Sequence, residues 1–124
     1  MRPRATTLTP QELELMKIIW RRESATVRDV YQELLEHRKI AYTTVMTALK
    51  TLEQKGYLRA TQQDRAYVYQ PTKPKNQVIK GMVQEFVNRV FNGSAEPLVV
   101  HLIEDNQLSE SDLREISRML GRRK

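Results

Sequence analysis

Gly56 separates two periodicities, and that change of period constrains the fold more than any other feature of the sequence. Before it, apolar residues recur three or four positions apart, as on a helix with one buried face. After it they alternate, as on a half-buried strand. In the stretch 43–55, Val45, Ala48, Leu49 and Leu52 fall at i, i+3, i+4 and i+7, and Gly56 stands where a left-handed residue ends a helix. The stretches 57–61 and 66–70 are then short and β-rich, on either side of Gln62-Gln63-Asp64-Arg65. They predict a hairpin with a polar, Arg-bearing tip, ended by Pro71 and Pro74.

Two shorter helices precede this unit. Thr9-Pro10-Gln11-Glu12 is a capping box with proline at the first helical position, and Leu13, Met16, Ile19 and Trp20 predict one buried face through about Arg22. Leu34 and Leu52 join Leu13, Met16 and Trp20 in the expected core. Residues 23–25 read as a loop. Thr26, with Asp29 three positions on, starts a second helix whose apolar stripe is Val27, Val30, Tyr31, Leu34 and Leu35. Tyr67 and Tyr69 alternate with Val68 and read as packing within the hairpin.

After Pro74 the helical period returns. Val78, Met82, Phe86 and Val90 mark one stripe over 75–91, widened by Ile79, Val83 and Val87. Asn92-Gly93-Ser94 breaks it. A short helix over 96–104 carries Leu98, Val99, Leu102 and Ile103, and Ser109-Glu110-Ser111-Asp112 opens a last one with Leu113, Ile116 and Leu120. The fold class expected is mainly α with a small β-hairpin. Residues 1–72 form an N-terminal winged helix-turn-helix for DNA, and residues 73–124 a C-terminal helical dimerisation region. The second region is too small to bury its own apolar stripes, so Val78, Met82, Val83, Phe86, Val90, Leu98, Leu102, Ile116 and Leu120 are the candidate dimer contacts. A two-fold partner would also supply a second DNA-binding head.

The outward face of the 43–55 helix is unusual. It holds Thr43, Thr44, Met46, Thr47, Lys50, Thr51 and Gln54, where a solvated helix would carry Glu and Lys pairs. Threonine hydroxyls suit base edges and phosphates, Lys50 suits a phosphate or guanine, and Met46 suits a thymine methyl. Tyr42 at the helix start is either a phosphate contact or a packed aromatic. Arg65 at the hairpin tip is the obvious backbone contact, and Arg28 sits in the first turn of a helix, where a cation and backbone N–H groups can share one phosphate. For each of these the plain alternative is a solvated surface side chain. Arg2 and Arg4 offer a further arm toward DNA.

Charge distribution agrees with this division. Residues 1–70 hold twelve Lys and Arg against eight acids, whereas 85–120 hold three against seven. One part suits a polyanion and the other a protein surface. The absence of cysteine excludes disulfides, thiolate metal sites and a cysteine nucleophile. Neither His37 nor His101 lies in a metal-ligand spacing, no phosphate-binding or nucleophile motif is present, and neither a secretory leader nor a membrane-spanning run is seen. The expectation is a non-enzymatic cytoplasmic protein without cofactor or metal. Two other readings compete with a sequence-specific repressor. One is a winged-helix protein-interaction module; the other is a non-specific architectural DNA-binding protein.

The segments 8–20, 26–30 and above all 41–56 resemble the penicillinase repressor family, as do Phe91-Asn92-Gly93-Ser94 and Leu98-Val99-Val100. The resemblance spans roughly residues 7–120. It implies a homodimeric winged-helix repressor on a palindromic, double-stranded DNA operator, with helix 43–55 in the major groove and wing 57–70 on the flanking backbone. It also implies regulation. One branch is inactivated by a protease at an Asn-Phe pair after the Leu-Val segment, where this chain has His101-Leu102. The copper-responsive branch uses a C-terminal cysteine cluster, which this chain lacks.

Overall fold

The computed structural model describes residues 8–122, so Arg2 and Arg4 lie outside the described residues. Helix α1 (Pro10–Arg22) starts as its sequence requires. The Thr9 hydroxyl accepts from the Glu12 N–H at 3.1 Å and the Glu12 carboxylate accepts from the Thr9 N–H at 3.0 Å. Helix α2 (Val27–Leu35) repeats the device with Thr26 and Asp29. Helix α3 (Tyr42–Gln54) begins at Ala41 with no side-chain cap and stops through a complete left-handed closure. The Tyr57 N–H reaches the Leu52 carbonyl, the Gly56 N–H reaches that of Glu53, and Gly56 takes φ +90°. Glycine adopts that conformation without a side-chain clash, and it turns the chain at once into the sheet.

The sheet has a strand that the sequence does not announce. Strand β1 (Ala25–Thr26) joins β2 (Leu58–Gln63) and β3 (Ala66–Pro71) in the order β1-β3-β2, all antiparallel. Its two residues pair Ala25 with Tyr69 and Thr26 with Val68. Two residues carry no readable period, which is why 23–25 looked like a loop. Pairing with a strand more than forty positions away created it.

The core of this half is dense. Leu15, Met16, Ile19, Val30, Leu34, Val45, Leu49 and Leu52 are fully buried. Leu13 and Trp20, expected in it, are only half-buried, while Leu15 and Ile18 take the inner positions. Trp20 lies at the margin and its indole N–H donates to the Lys73 carbonyl at 3.0 Å. The Thr72 hydroxyl donates to the Gly56 carbonyl at 2.6 Å, and the Lys73 ammonium sits 5.6 Å from the Tyr57 ring centre. These contacts tie the segment after the hairpin to the winged helix. Buried Glu12 meets the Lys55 ammonium at 2.8 Å, joining the start of α1 to the end of α3.

The chain divides into two compact units, the first ending at Ile79 and the second beginning at Lys80. The division falls inside helix α4 (Lys75–Phe91), after which come α5 (Glu96–Glu104) and α6 (Glu110–Arg122). In the second unit Phe91 packs edge-on to Phe86 at 5.8 Å and lies 5.9 Å from the His101 ring. Among its described residues only Val87 is a buried apolar side chain. No described helix is long and apolar enough to cross a membrane.

Candidate nucleic-acid interface

Three elements of the first unit border one concave groove of about 870 Å³. Helix α3 contributes Tyr42, Met46, Thr47, Lys50, Thr51 and Gln54. Thr26, Val27 and Arg28 come from the start of α2, and Arg65, Ala66, Tyr67 and Tyr69 from the hairpin. Local sequence fixes each wall. Gly56 sends the chain from α3 directly into the hairpin, so one wall follows the other by a single turn of backbone. Thr26 both caps α2 and pairs with Val68, which ties the start of α2, and with it Arg28, to the sheet edge. Tyr42 packs edge-on to Tyr31 at 5.2 Å and is still an exposed residue lining the groove.

The hairpin tip is tighter than its sequence suggests. Gln63 pairs with Ala66, leaving only Asp64 and Arg65 in the turn, with φ of 47° and 74°. This is the geometry of a two-residue hairpin turn in which glycine is favoured at the second position. Arginine there costs on the order of 1 kcal/mol in backbone strain. The chain keeps a cation at the rim of the groove where a glycine would be more comfortable.

The groove is electrostatically one-sided. It is lined by three cations, Arg28, Lys50 and Arg65, and by no carboxylate. None of the three forms an ion pair among the described residues. Four cations elsewhere in the unit are ion-paired. Arg21 and Arg22 both hold Glu33, Arg38 meets Glu14 at 2.7 Å, and Lys55 meets Glu12. Burial pushes the Glu12 carboxyl up, but the Lys55 and Thr9 hydrogen bonds outweigh it and hold it below the ordinary carboxylate range. Glu33 follows the same pattern under Arg21 and Arg22. Burial, then Glu53 and Tyr67, push the Tyr69 phenol up, so it stays neutral at the floor of the groove. Three cations with no carboxylate among the lining residues give the groove where α3 faces the hairpin a positive character.

The structure gathers most of the expected DNA-contact residues in one groove and sets two directly beside it. Arg28, Tyr42, Met46, Thr47, Lys50, Thr51 and Arg65 share the groove. Thr43 and Thr44 are exposed beside the start of α1, in a smaller adjoining depression with Thr9, Gln11 and Glu12 that shares Thr47 and Thr51 with the groove. At about 100° per residue the outward residues from 43 to 54 span one arc of roughly 160°, with Thr47 and Thr51 standing between the two depressions. Gln54, Thr26, Val27, Tyr67 and Tyr69 line the groove without having been picked out as site residues. Helical spacing from Lys50 and Thr51 could have flagged Gln54. Tyr69 packs as expected, being 5% exposed, whereas Tyr67 is 55% exposed and free of the hairpin packing assigned to it.

The candidate dimer residues divide as well. Val83, Phe86 and Val90 of α4 and Ile116 and Leu120 of α6 are exposed, and Met82, Leu98 and Leu102 are half-buried. Val78 differs, since it is buried and belongs to the first unit. An i+4 stripe drifts about 40° round a helix at every step, so Val90 stands about 120° from Val78. Val99, Val100, Ile103 and Met119 are exposed apolar side chains that belong with the same group but were not singled out.

Residues 8–122 match the family described as penicillinase repressor. The penicillinase repressor of Bacillus licheniformis is 31% identical over 117 residues, covering 94% of this chain and 91% of its own. The transcriptional regulator BlaI of Mycobacterium tuberculosis is 35% identical over 109 residues, covering 86% of this chain and 79% of its own. Among solved structures, monomeric Bacillus licheniformis BlaI in complex with the blaP half-operator superposes with a TM-score of 0.50 at 31% identity. That match covers 56% of this chain and 85% of the other.

Proposed function

The chain belongs to the penicillinase repressor family, and on that premise we propose that it acts as a homodimer on a two-fold symmetric operator. It is a sequence-specific DNA-binding transcriptional repressor, not an enzyme. Helix α3 enters the major groove of one half-site and presents Thr43, Thr44, Met46, Thr47, Lys50 and Thr51 to base edges and nearby phosphates. Arg28, Tyr42 and Arg65 hold the flanking backbone, which sets the register in which the helix reads. The observation that carries this reading is the groove between α3 and the hairpin, lined by three cations without an ion pair among the described residues and by no carboxylate. Such a surface attracts a polyanion and repels acidic protein.

Pairing is assigned to residues 73–124 and DNA binding to residues 1–72. Exposed Val83, Phe86, Val90, Ile116 and Leu120 support the first assignment, since this much apolar surface is costly in water and a second copy covers it. Two heads then meet half-sites about one helical turn, roughly 34 Å, or a multiple of it apart. Operator binding places the protein with the genome, in the cytoplasm. A regulatory protease acting at the family's position would meet His101-Leu102 inside α5 and would cut only after that helix unwinds.

Footprinting on host genomic fragments tests the reading. A protected palindrome is expected, with affinity falling steeply as salt rises because bound cations displace counterions from DNA. Equal affinity for random duplex would remove the sequence-specific claim. A protein that stays monomeric at every concentration tested would remove the dimer.

A further inference from the structure

We propose that Tyr67 is a backbone-positioning residue, its ring packed on a deoxyribose and its hydroxyl donating to a phosphate of the strand that runs between α3 and the hairpin. This rests on the DNA-binding reading above and adds to it a residue outside the recognition helix. Three observations carry it. First, Arg65, Tyr67 and Tyr69 all line the same groove and stand two positions apart along β3 and its turn, forming a ladder from rim to floor. Tyr69 is the buried floor, Arg65 is the cation at the rim, and Tyr67 is the step between them.

Second, the exposure of Tyr67 is not explained by the hairpin. Its cross-strand neighbour is Gln62, which is itself exposed and offers no apolar surface to cover an aromatic ring. A half-covered tyrosine suits a partner that is apolar on one face and polar at its edge. Third, the opposing wall is chemically complementary. Lys50 and Thr51 of α3 face the groove from the other side, and Arg28 borders it from the start of α2. A sugar-phosphate strand alternates apolar sugar with charged phosphate, and this groove alternates aromatic or aliphatic surface with cations and hydroxyls. A base stacked on Tyr67 is a poorer fit, because bases in a duplex are already stacked and paired.

The signature of such a contact is specific. Backbone contacts fix register without reading sequence, so losing one weakens binding to every duplex alike. An uncharged contact also releases no counterion, so the salt dependence does not change. The test uses the full chain and its Tyr67→Ala and Tyr67→Phe variants. Each is titrated with a duplex selected from a random pool by the wild-type protein, and with a random-sequence duplex of equal length, over a range of salt. Tyr67→Ala is expected to lose about tenfold on both duplexes, and Tyr67→Phe about threefold on both, with unchanged salt slopes and unchanged melting temperature. Unaltered affinity of both variants overturns the assignment, as does a loss confined to the selected duplex or a shift in slope. Should Tyr67→Ala fold poorly, Tyr67→Phe decides alone, since it keeps the ring. Failure of the wild type to prefer the selected duplex sinks the repressor reading instead, while the random duplex still judges Tyr67.

Discussion

The two units solve the same problem of apolar burial in opposite ways. The first closes a core of eight fully buried side chains from three helices and seals its margins with Trp20, Thr72 and the Glu12–Lys55 pair. In the second, Val87 is the one described apolar side chain that is buried, and Val83, Val90, Ile116 and Leu120 face outward. A unit with a complete core can spend its surface on a ligand. One with an incomplete core needs its surface for assembly. The difference also explains their charges. The first unit lines one groove with three cations and no carboxylate, while the 85–120 segment is acidic and also exposes Phe86, Val90, Ile103, Ile116 and Leu120.

The sharpest way to break this comparison is a core deletion. Leu49→Ala leaves a cavity among fully buried neighbours and is expected to cost about 3 kcal/mol, more than a hundredfold in the folding equilibrium. Urea unfolding should show that loss independently of protein concentration. A concentration-dependent loss would mean that the first unit is not self-sufficient. Val90→Glu tests the other side. It should leave the secondary structure intact, shift sedimentation toward monomer and lower operator affinity at least about tenfold, since two linked heads bind far better than one. A stable Val90→Glu dimer would place the pairing surface elsewhere.

Smaller effects test the groove. Arg65→Gly relaxes the left-handed turn position and is expected to raise stability by about 1 kcal/mol while weakening DNA binding. The slope of log affinity against log salt should become shallower by about 0.9, the value of one phosphate contact. A gain in stability with unchanged salt slope would make Arg65 a mere surface cation. The smallest effect concerns pH. Glu12 and Glu33 both have carboxyls held below the ordinary range in the folded state, so their contribution is full above that range. It is lost as pH falls through the lowered folded values. Glu12→Gln should therefore be less stable at neutral pH and show a flatter acid dependence by thermal melting.

Much of this was legible in the sequence because it is local. Capping boxes at Thr9 and Thr26, the glycine stop at residue 56 and the change to period two depend on residues within a few positions of one another. The Thr-rich face of α3 was legible for the same reason. Strand β1 was not, since its two residues become a strand only by pairing with Tyr69 and Val68. Nor was the exchange of Trp20 and Leu13 for Leu15 and Ile18 in the inner core, because a helix with apolar residues on several sides has no unique inward face until its neighbours are placed.

The sequence alone determined which segments are helices, where they start and stop, and that a hairpin follows the third. Those outcomes follow from short-range hydrogen bonding and side-chain period. Only the tertiary structure decided that Arg28, Lys50 and Arg65, spread over thirty-eight positions, line one groove free of carboxylates. It also decided that Thr43 and Thr44 open onto an adjoining depression beside the start of α1, that Val78 is withdrawn from the exposed stripe, and that Tyr67 stands open beside Arg65. Each of these depends on how elements distant in sequence are packed together. Long-range packing has no periodic trace in the chain, because it is set by which faces meet and not by which residues are neighbours.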